Sequence, residues 1–333
     1  MASAALAYPS TGAVEGGVAM PYVSRWALAA IALGLAMILL SVSLAEAGEQ
    51  RTINVAGVAR TYYVAGTATV NTGPRPLLIM LHGAGGNGEQ AVRRYGWETK
   101  AEREGFVVAG PDASRPFPDR PANLLANPRF WNDGGARGNA AILGSDDVGF
   151  IDAMVEDIAR VTAIDRARIY VTGFSSGAGM AQRMAIDRAN RYAAVAPIAG
   201  IIVVPPTSPA RAMPFLYISG DSDPLNPVQG GPVRSPWGTT FTKPAHATII
   251  QRWRELNGCP PPTRSVIAPS VNLHLASPCR DGVEVRYVLV EGLGHRWSGG
   301  TRDMLPDSIS GPASNAINIT DTVWDFFRRW RLR

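Results

Sequence analysis

Hydrophobic positions along this chain fall into two alternating patterns. Short, largely apolar runs occur at 76–81, 106–109, 169–172, 193–200 and 213–220, and a last strand-like stretch at 284–290. Runs of this length, bounded by Gly and Pro, predict strands buried on both faces of a sheet. Between them the spacing turns helical. Asn87 can cap a helix running to about Glu104, and Asp146 or Asp147 caps another whose apolar face is Ile151, Met154, Val155, Ile158 and Val161. Further helices are predicted from Met180 to Ile186, over 241–257 with Ile249, Ile250, Trp253 and Leu256, and over about 313–329 with Ile317, Val323, Phe326, Phe327 and Trp330 at its end. Residues 50–65 alternate polar and apolar around Gly57, the signature of an edge hairpin. Repeated strand–helix units of this kind imply an α/β domain with a mostly parallel central sheet and right-handed crossovers.

Two stretches stand outside that rhythm. Residues 26–45 carry no charge, follow Arg25 and lead into Ala45-Glu46-Ala47. A basic flank, an apolar core and an A-x-A site predict a signal peptide cut after Ala47. An uncleaved anchor is the competing reading, because about 20 apolar residues can span a bilayer. Both place the domain, 48–333, outside the cytoplasm, secreted or periplasmic, with membrane contact only if the segment stays uncleaved. The 24 residues before the apolar run are long for a leader, and a start at Met20 would shorten them. The second stretch is a Pro/Asn/Gly-rich excursion from Pro111 to about Gly144, holding Trp131, which would either wall a pocket or pin the loop.

Composition narrows the picture. With 333 residues, 46% hydrophobic and 18% charged, and no internal repeat or long linker, the chain suits one globular domain. The two cysteines, Cys259 and Cys279, are expected to pair in an exported protein, closing a loop that holds Pro260-Pro261-Pro262 and shows little periodicity. The net charge of +5 is dispersed apart from the Arg-rich end at 328–333, which argues against a nucleic-acid partner.

The candidate chemistry sits where strands end. Ile169–Thr172 runs into Gly173-Phe174-Ser175-Ser176-Gly177 and then into a helix, the order that a nucleophile elbow requires. A serine hydroxyl is a poor nucleophile unless a base, oriented by a carboxylate, takes its proton. Asp223, with Asp221 as a rival, follows a later strand, and Pro224 rigidifies its turn. Of four histidines only His295 lies just past a late strand on a Gly-rich turn; His82 belongs to the loop 82–88, and His246 and His274 lie elsewhere. That Gly-rich loop, after the central strand, can aim backbone N–H groups at a developing oxyanion, with Ala84 and Ser176 as the donors. The resulting mechanism is acyl transfer to Ser175 with His295 as base and Asp223 as its orienter. It acts on an ester and needs neither metal nor organic cofactor.

These motifs, with their neighbours, form a recognisable set. Leu81–Asn87, Ile169–Ala181, Gly220–Pro224, Asn257-Gly258-Cys259 and Gly292–Gly300 resemble the polyhydroxybutyrate-depolymerase-like esterases, α/β-hydrolases grouped with the feruloyl and acetylxylan esterases of carbohydrate esterase family 1. The resemblance runs from about Asn54 to Trp330. It implies an α/β-hydrolase fold with Ser175 as nucleophile, Asp223 as acid and His295 as base, and it sets Trp297 near the pocket mouth. The chain departs from the pattern at Ala178, where a second Gly is frequent, and at Ser219-Gly220-Asp221-Ser222, where His-Gly is frequent. These departures keep the family's substrates from transferring directly. With no linker or substrate-binding module visible, the expectation is soluble or short-chain esters such as hydroxyalkanoate oligomers, or feruloyl or acetyl sugar esters, over crystalline polymer.

Overall fold

The computed structural model describes residues 48–67, 73–135, 144–201, 208–301 and 305–333; the expected leader at 1–47 lies outside them. Their centre is a ten-stranded sheet. Its strands are β1 (Glu49–Val55), β2 (Val58–Ala65), β3 (Arg75–Leu81), β4 (Val107–Pro111), β5 (Ile164–Phe174), β6 (Ala194–Ile198), β7 (Phe215–Gly220), β10 (Thr263–Ala268), β11 (Val271–Ala276) and β12 (Val285–Val290). They lie in the order β1-β2-β4-β3-β5-β6-β7-β12-β11-β10. From β4 to β12 all neighbours run parallel, and antiparallel hairpins close both edges. A separate hairpin pairs β8 (Gly231–Arg234) with β9 (Thr240–Lys243).

The buried central strands explain their own sequence. Side chains alternate across a sheet, so a strand covered on both faces is apolar at nearly every position. In β3, Leu77, Ile79 and Leu81 enter one core while Leu78 and Met80 enter the other. The first core is closed by α3 (Asp147–Val161), α4 (Ser176–Asp187) and α5 (His246–Asn257), through residues such as Ile151, Met180, Met184 and Trp253. The second is closed by α1 (Gly88–Arg94), α2 (Trp97–Glu104) and α7 (Ile319–Phe327), through Val92, Trp97, Val323 and Phe327. A four-residue helix, α6 (Asp307–Ser310), precedes α7. This is the α/β architecture expected, with strand C-termini gathered at one edge of the parallel sheet.

Several elements differ from the expectation. The helix beginning at Asn87, whose side chain accepts from the Gln90 N–H at 2.8 Å, breaks into α1 and α2 at Gly96, which takes a left-handed conformation with φ +76°. Asp146 caps α3 by accepting from Gly149 N–H, but Val161 at its end is 52% exposed, past the last turn that faces the sheet. The helix placed over 241–257 starts only at His246. Residues 240–243 alternate as β9 does, and Pro244 ends that strand. The last helix is shorter, starting from the Asn318 cap, while Ile317 and Trp330 still pack on the second core from outside it.

The region between the cysteines is not the loose excursion that its prolines suggest. Cys259 and Cys279 are bonded to each other, and between them β10 and β11 form a hairpin that extends the sheet. The pattern is hard to read because β10, at the edge, is exposed along most of its length. The disulfide closes a loop of 20 residues. Replacing both cysteines by Ser is expected to lower unfolding free energy by about 3 kcal/mol through the released chain entropy of the unfolded state. Urea titration of the oxidised wild type against the double variant checks this; equal midpoints would contradict it.

Candidate active site

Ser175 occupies the turn between β5 and α4 with φ 55° and ψ −115°, a region that costs a non-Gly residue strain. The chain makes that turn because two neighbours have no side chain. A Cβ on Gly173 would stand 2.2 Å from the Gly177 carbonyl oxygen, and one on Gly177 would stand 2.2 Å from that of Leu81. The backbone then holds the strained residue from both sides: Ser175 N–H donates to the Ile198 carbonyl at 2.9 Å, and its own carbonyl accepts from Ala178 N–H at 3.1 Å. Ala178, where a glycine is frequent in the resembled family, sits fully buried within α4.

His295 and Asp223, 72 residues apart in sequence, meet after β12 and β7. The imidazole Nδ1 lies 2.8 Å from Asp223 Oδ2, and both side chains are buried. The other carboxylate oxygen accepts from the backbone N–H groups of Leu225 and Asn226, each at 2.8 Å. Burial alone would raise the pKa of Asp223. The charge and hydrogen bond of His295, the Lys243 charge and the Leu225 N–H outweigh it and hold the carboxyl below its ordinary range. An ionised Asp223 therefore faces Nδ1–H and leaves Nε2 as the acceptor. Asp221, the rival, is exposed and accepts from Ser222 Oγ and Gly292 N–H, away from His295.

The loop after β3 is locked by His82, which is buried. Its Nε2 accepts from Ala113 N–H at 3.0 Å, so Nδ1 carries the proton and donates to the Gly83 carbonyl at 2.7 Å. Gly86 N–H donates to the same carbonyl at 3.0 Å. In a trans peptide C=O and N–H point in opposite directions, so fixing the Gly83 carbonyl turns the Ala84 N–H away from His82. Ala84 and Ser176 line one cavity together with Ser175 and His295. The Ser176 N–H belongs to the first turn of α4, where N–H groups have no partner within the helix.

The cavity encloses about 480 Å³ and its wall is largely apolar. Trp131 combines the two roles left open for it. It lines the cavity, and its Nε1 donates to the His82 carbonyl at 2.8 Å. Trp297 is a correction: it is not among the lining residues. Its ring is buried in the second core, stacked 4.4 Å from Tyr95, and its Nε1 donates to Thr320 Oγ1. Tyr95 lines the cavity in its place. Leu124, Phe130, Trp237 and Phe241 were not anticipated as walls. Trp237 Nε1 donates to the Leu124 carbonyl at 2.6 Å, and its ring meets Phe130 edge-on at 5.0 Å, joining the β8–β9 hairpin to the excursion after β4. For Phe130 and Trp237 the sequence signal is an aromatic residue inside a Gly/Pro-rich loop.

Two buried histidines are expected to make the fold acid-sensitive. Burial pushes His82 down to about 4 against the Asp112 charge, and pushes His246 down to about 4 against its bond to Asn226. Both titrate near 6.5 in an unfolded chain, which therefore binds more protons below that pH. Stability is expected to hold above pH 6.5 and to fall as pH drops towards 4, with a slope of up to about two protons. Urea titrations at pH 7, 5.5 and 4.5 measure the slope, and equal unfolding free energies across them would contradict it.

Residues 58–240 match the sequence model of a family described as esterase PHB depolymerase. A protein of Nocardia uniformis subsp. tsuyamanensis named as an esterase, NocK, is 29% identical over 296 residues, which cover 83% of this chain and 81% of that protein. Feruloyl esterase C of Emericella nidulans is 28% identical over 194 residues, 56% of this chain and 58% of its own length. The chain thus spans less than two thirds of that relative. Among solved structures, acetyl xylan esterase from Aspergillus awamori superposes with a TM-score of 0.56 at 15% identity, covering 84% of this chain and 99% of that one, a likeness of fold.

Proposed function

Because the chain belongs to the esterase PHB depolymerase family, we propose that it is a serine carboxylic-ester hydrolase working through an acyl-enzyme on Ser175. The observation that carries this reading is the meeting of a strained Ser175 and an Asp223-oriented His295 on one apolar cavity. His295 Nε2 takes the Ser175 proton as Oγ attacks the ester carbonyl. Nδ1–H remains on Asp223 Oδ2, whose negative charge stabilises the imidazolium. The Ala84 and Ser176 N–H groups receive the oxyanion. As the tetrahedral intermediate collapses, His295 returns the proton to the leaving alcohol; it then activates water, which releases the acid and restores Ser175.

The cavity size and the Phe130, Trp237, Phe241 and Leu124 walls favour acyl groups of short to medium length, such as hydroxyalkanoate esters and oligomers. The edge-on pair of Phe130 and Trp237 supports a second reading, a flat feruloyl group held against the rings. The bonded cysteines support export to an oxidising compartment, secreted or periplasmic, after loss of residues 1–47. The test is turnover of p-nitrophenyl esters, methyl ferulate and hydroxybutyrate oligomers by the purified protein, with Ser175→Ala as control. Serine-dependent turnover with oligomers ranked first supports the leading reading, methyl ferulate first selects the second, and no turnover of any ester by folded protein defeats both.

A further inference from the structure

One wall of the cavity is a single stripe of α1. Asn87, Gln90, Ala91 and Arg94 recur at the three- and four-residue spacing that sets side chains on one helix face, and all four line the cavity. Asn87 is occupied as the cap of α1. The two longer polar side chains are not. Neither the Gln90 amide nor the Arg94 guanidinium has a hydrogen bond or ion pair among the described residues. The contrast with the preceding residue is sharp: Arg93, on the other side of the helix, bonds Tyr63 and pairs with Glu89 and Glu98.

The other cation on the wall is differently placed. Lys243 Nζ donates to Asn226 Oδ1 at 3.3 Å, and its charge acts on Asp223. Arg94, by contrast, lines the same cavity as Ser175 and His295 and makes no ion pair among the described residues. Its carbonyl accepts from Thr301 N–H at 2.7 Å, in the loop that follows His295. Tyr95, next to it, meets Phe174 edge-on at 5.8 Å, and Phe174 lies 4.8 Å from the His295 ring.

Arg94 is partly buried as a residue, and its unpartnered guanidinium is satisfied by water while the cavity is open. A substrate that fills the cavity displaces that water and must supply an acceptor or bear the cost of desolvating the charge. A carboxylate is the acceptor that matches a guanidinium, two oxygens against two N–H groups. We infer that Arg94, with Gln90 one turn before it, forms a carboxylate-recognising subsite of the catalytic cavity, and that the favoured substrates are esters carrying an ionised carboxylate. This rests on the esterase reading above and narrows its substrate class.

The carboxylate can belong to the acyl or to the alcohol part, and matched ester pairs separate the two. Monoethyl adipate against ethyl hexanoate tests the acyl side, and 3-butyryloxybutanoate against sec-butyl butyrate tests the alcohol side. For each pair the ratio of kcat/KM, charged over neutral, is measured in wild type, Arg94→Met and Arg94→Lys. The neutral ester corrects within each variant for any loss of folded protein. In at least one pair the wild-type ratio is expected to exceed that of Arg94→Met by roughly 10- to 100-fold, mostly through KM, with Arg94→Lys keeping part of it. The pair that responds assigns the side of the ester. Ratios that are the same in wild type and Arg94→Met for both pairs would overturn the subsite while leaving the esterase intact. Failure of the wild type on all four esters while it turns over p-nitrophenyl esters would likewise overturn the subsite, whereas failure on the p-nitrophenyl esters as well would remove the esterase reading, and the subsite with it.

Discussion

Replacing Ser175 by Ala is expected to lower kcat for any accepted ester by roughly four to six orders of magnitude, with the fold unchanged. The substitution removes only Oγ. The residue keeps its Cβ, so the strain of φ 55° and the backbone bonds to Ile198 and Ala178 remain as they are. What is lost is the atom that forms the acyl-enzyme. The oxyanion donors and the apolar walls would remain, so a small residual rate over water is expected, together with undiminished ester binding. Steady-state kinetics and a urea titration on the same preparation separate loss of chemistry from loss of fold. Retention of more than about a tenth of the activity would remove Ser175 from the mechanism.

Asp223→Asn is expected to cost about four orders of magnitude in kcat, through the tautomer of His295. In the wild type Oδ2 is an acceptor and holds the proton on Nδ1. An amide nitrogen at that position would donate to Nδ1 and drive the proton to Nε2, where it would face the Ser175 hydroxyl that has to be deprotonated. The second oxygen, bonded to Leu225 and Asn226, is retained in the carboxamide if its oxygen takes that place, so the turn after β7 keeps its shape. Asp221→Asn is the contrasting variant. Asp221 is exposed, and among the described residues its side chain bonds Ser222 and Gly292, so the variant's activity is expected within about twofold of wild type, the range of an ordinary surface change. Equal losses in the two variants would contradict the assignment of the acid.

Which parts of this arrangement could be read before the fold was known follows from the range of the interactions. The turn at Ser175 is local: its two glycines stand within two residues of the strained position, so the motif and its cause are adjacent in sequence. The Asn87 and Asp146 caps are equally local, each reaching three residues forward. The β3 run is legible because both of its faces are covered, which leaves no polar position to confuse it with a surface strand. The cavity wall is a different matter. Trp237 and Leu124 meet across 113 residues, from two loops whose composition predicts only irregular chain. The β8–β9 hairpin escaped because its strands have only four residues each, and the β10–β11 hairpin because β10 is exposed along most of its length and so carries little apolar signal. Trp297 shows the opposite error. It is two residues from His295, and nearness in the chain suggested the cavity, yet its ring turns into the second core against Tyr95 and Trp97.

In the proposed reaction Ser175 forms a covalent intermediate under the control of His295. The most direct test is peptide mapping by mass spectrometry after exposure of the protein to a p-nitrophenyl alkylphosphonate. That reagent transfers a phosphonyl group to an activated serine and stalls at the stage of the acyl-enzyme. A single adduct is expected, on Ser175, formed in step with loss of esterase activity and absent in Ser175→Ala. Complete inactivation with the adduct on another residue, or full activity retained by a protein labelled at Ser175, would contradict it.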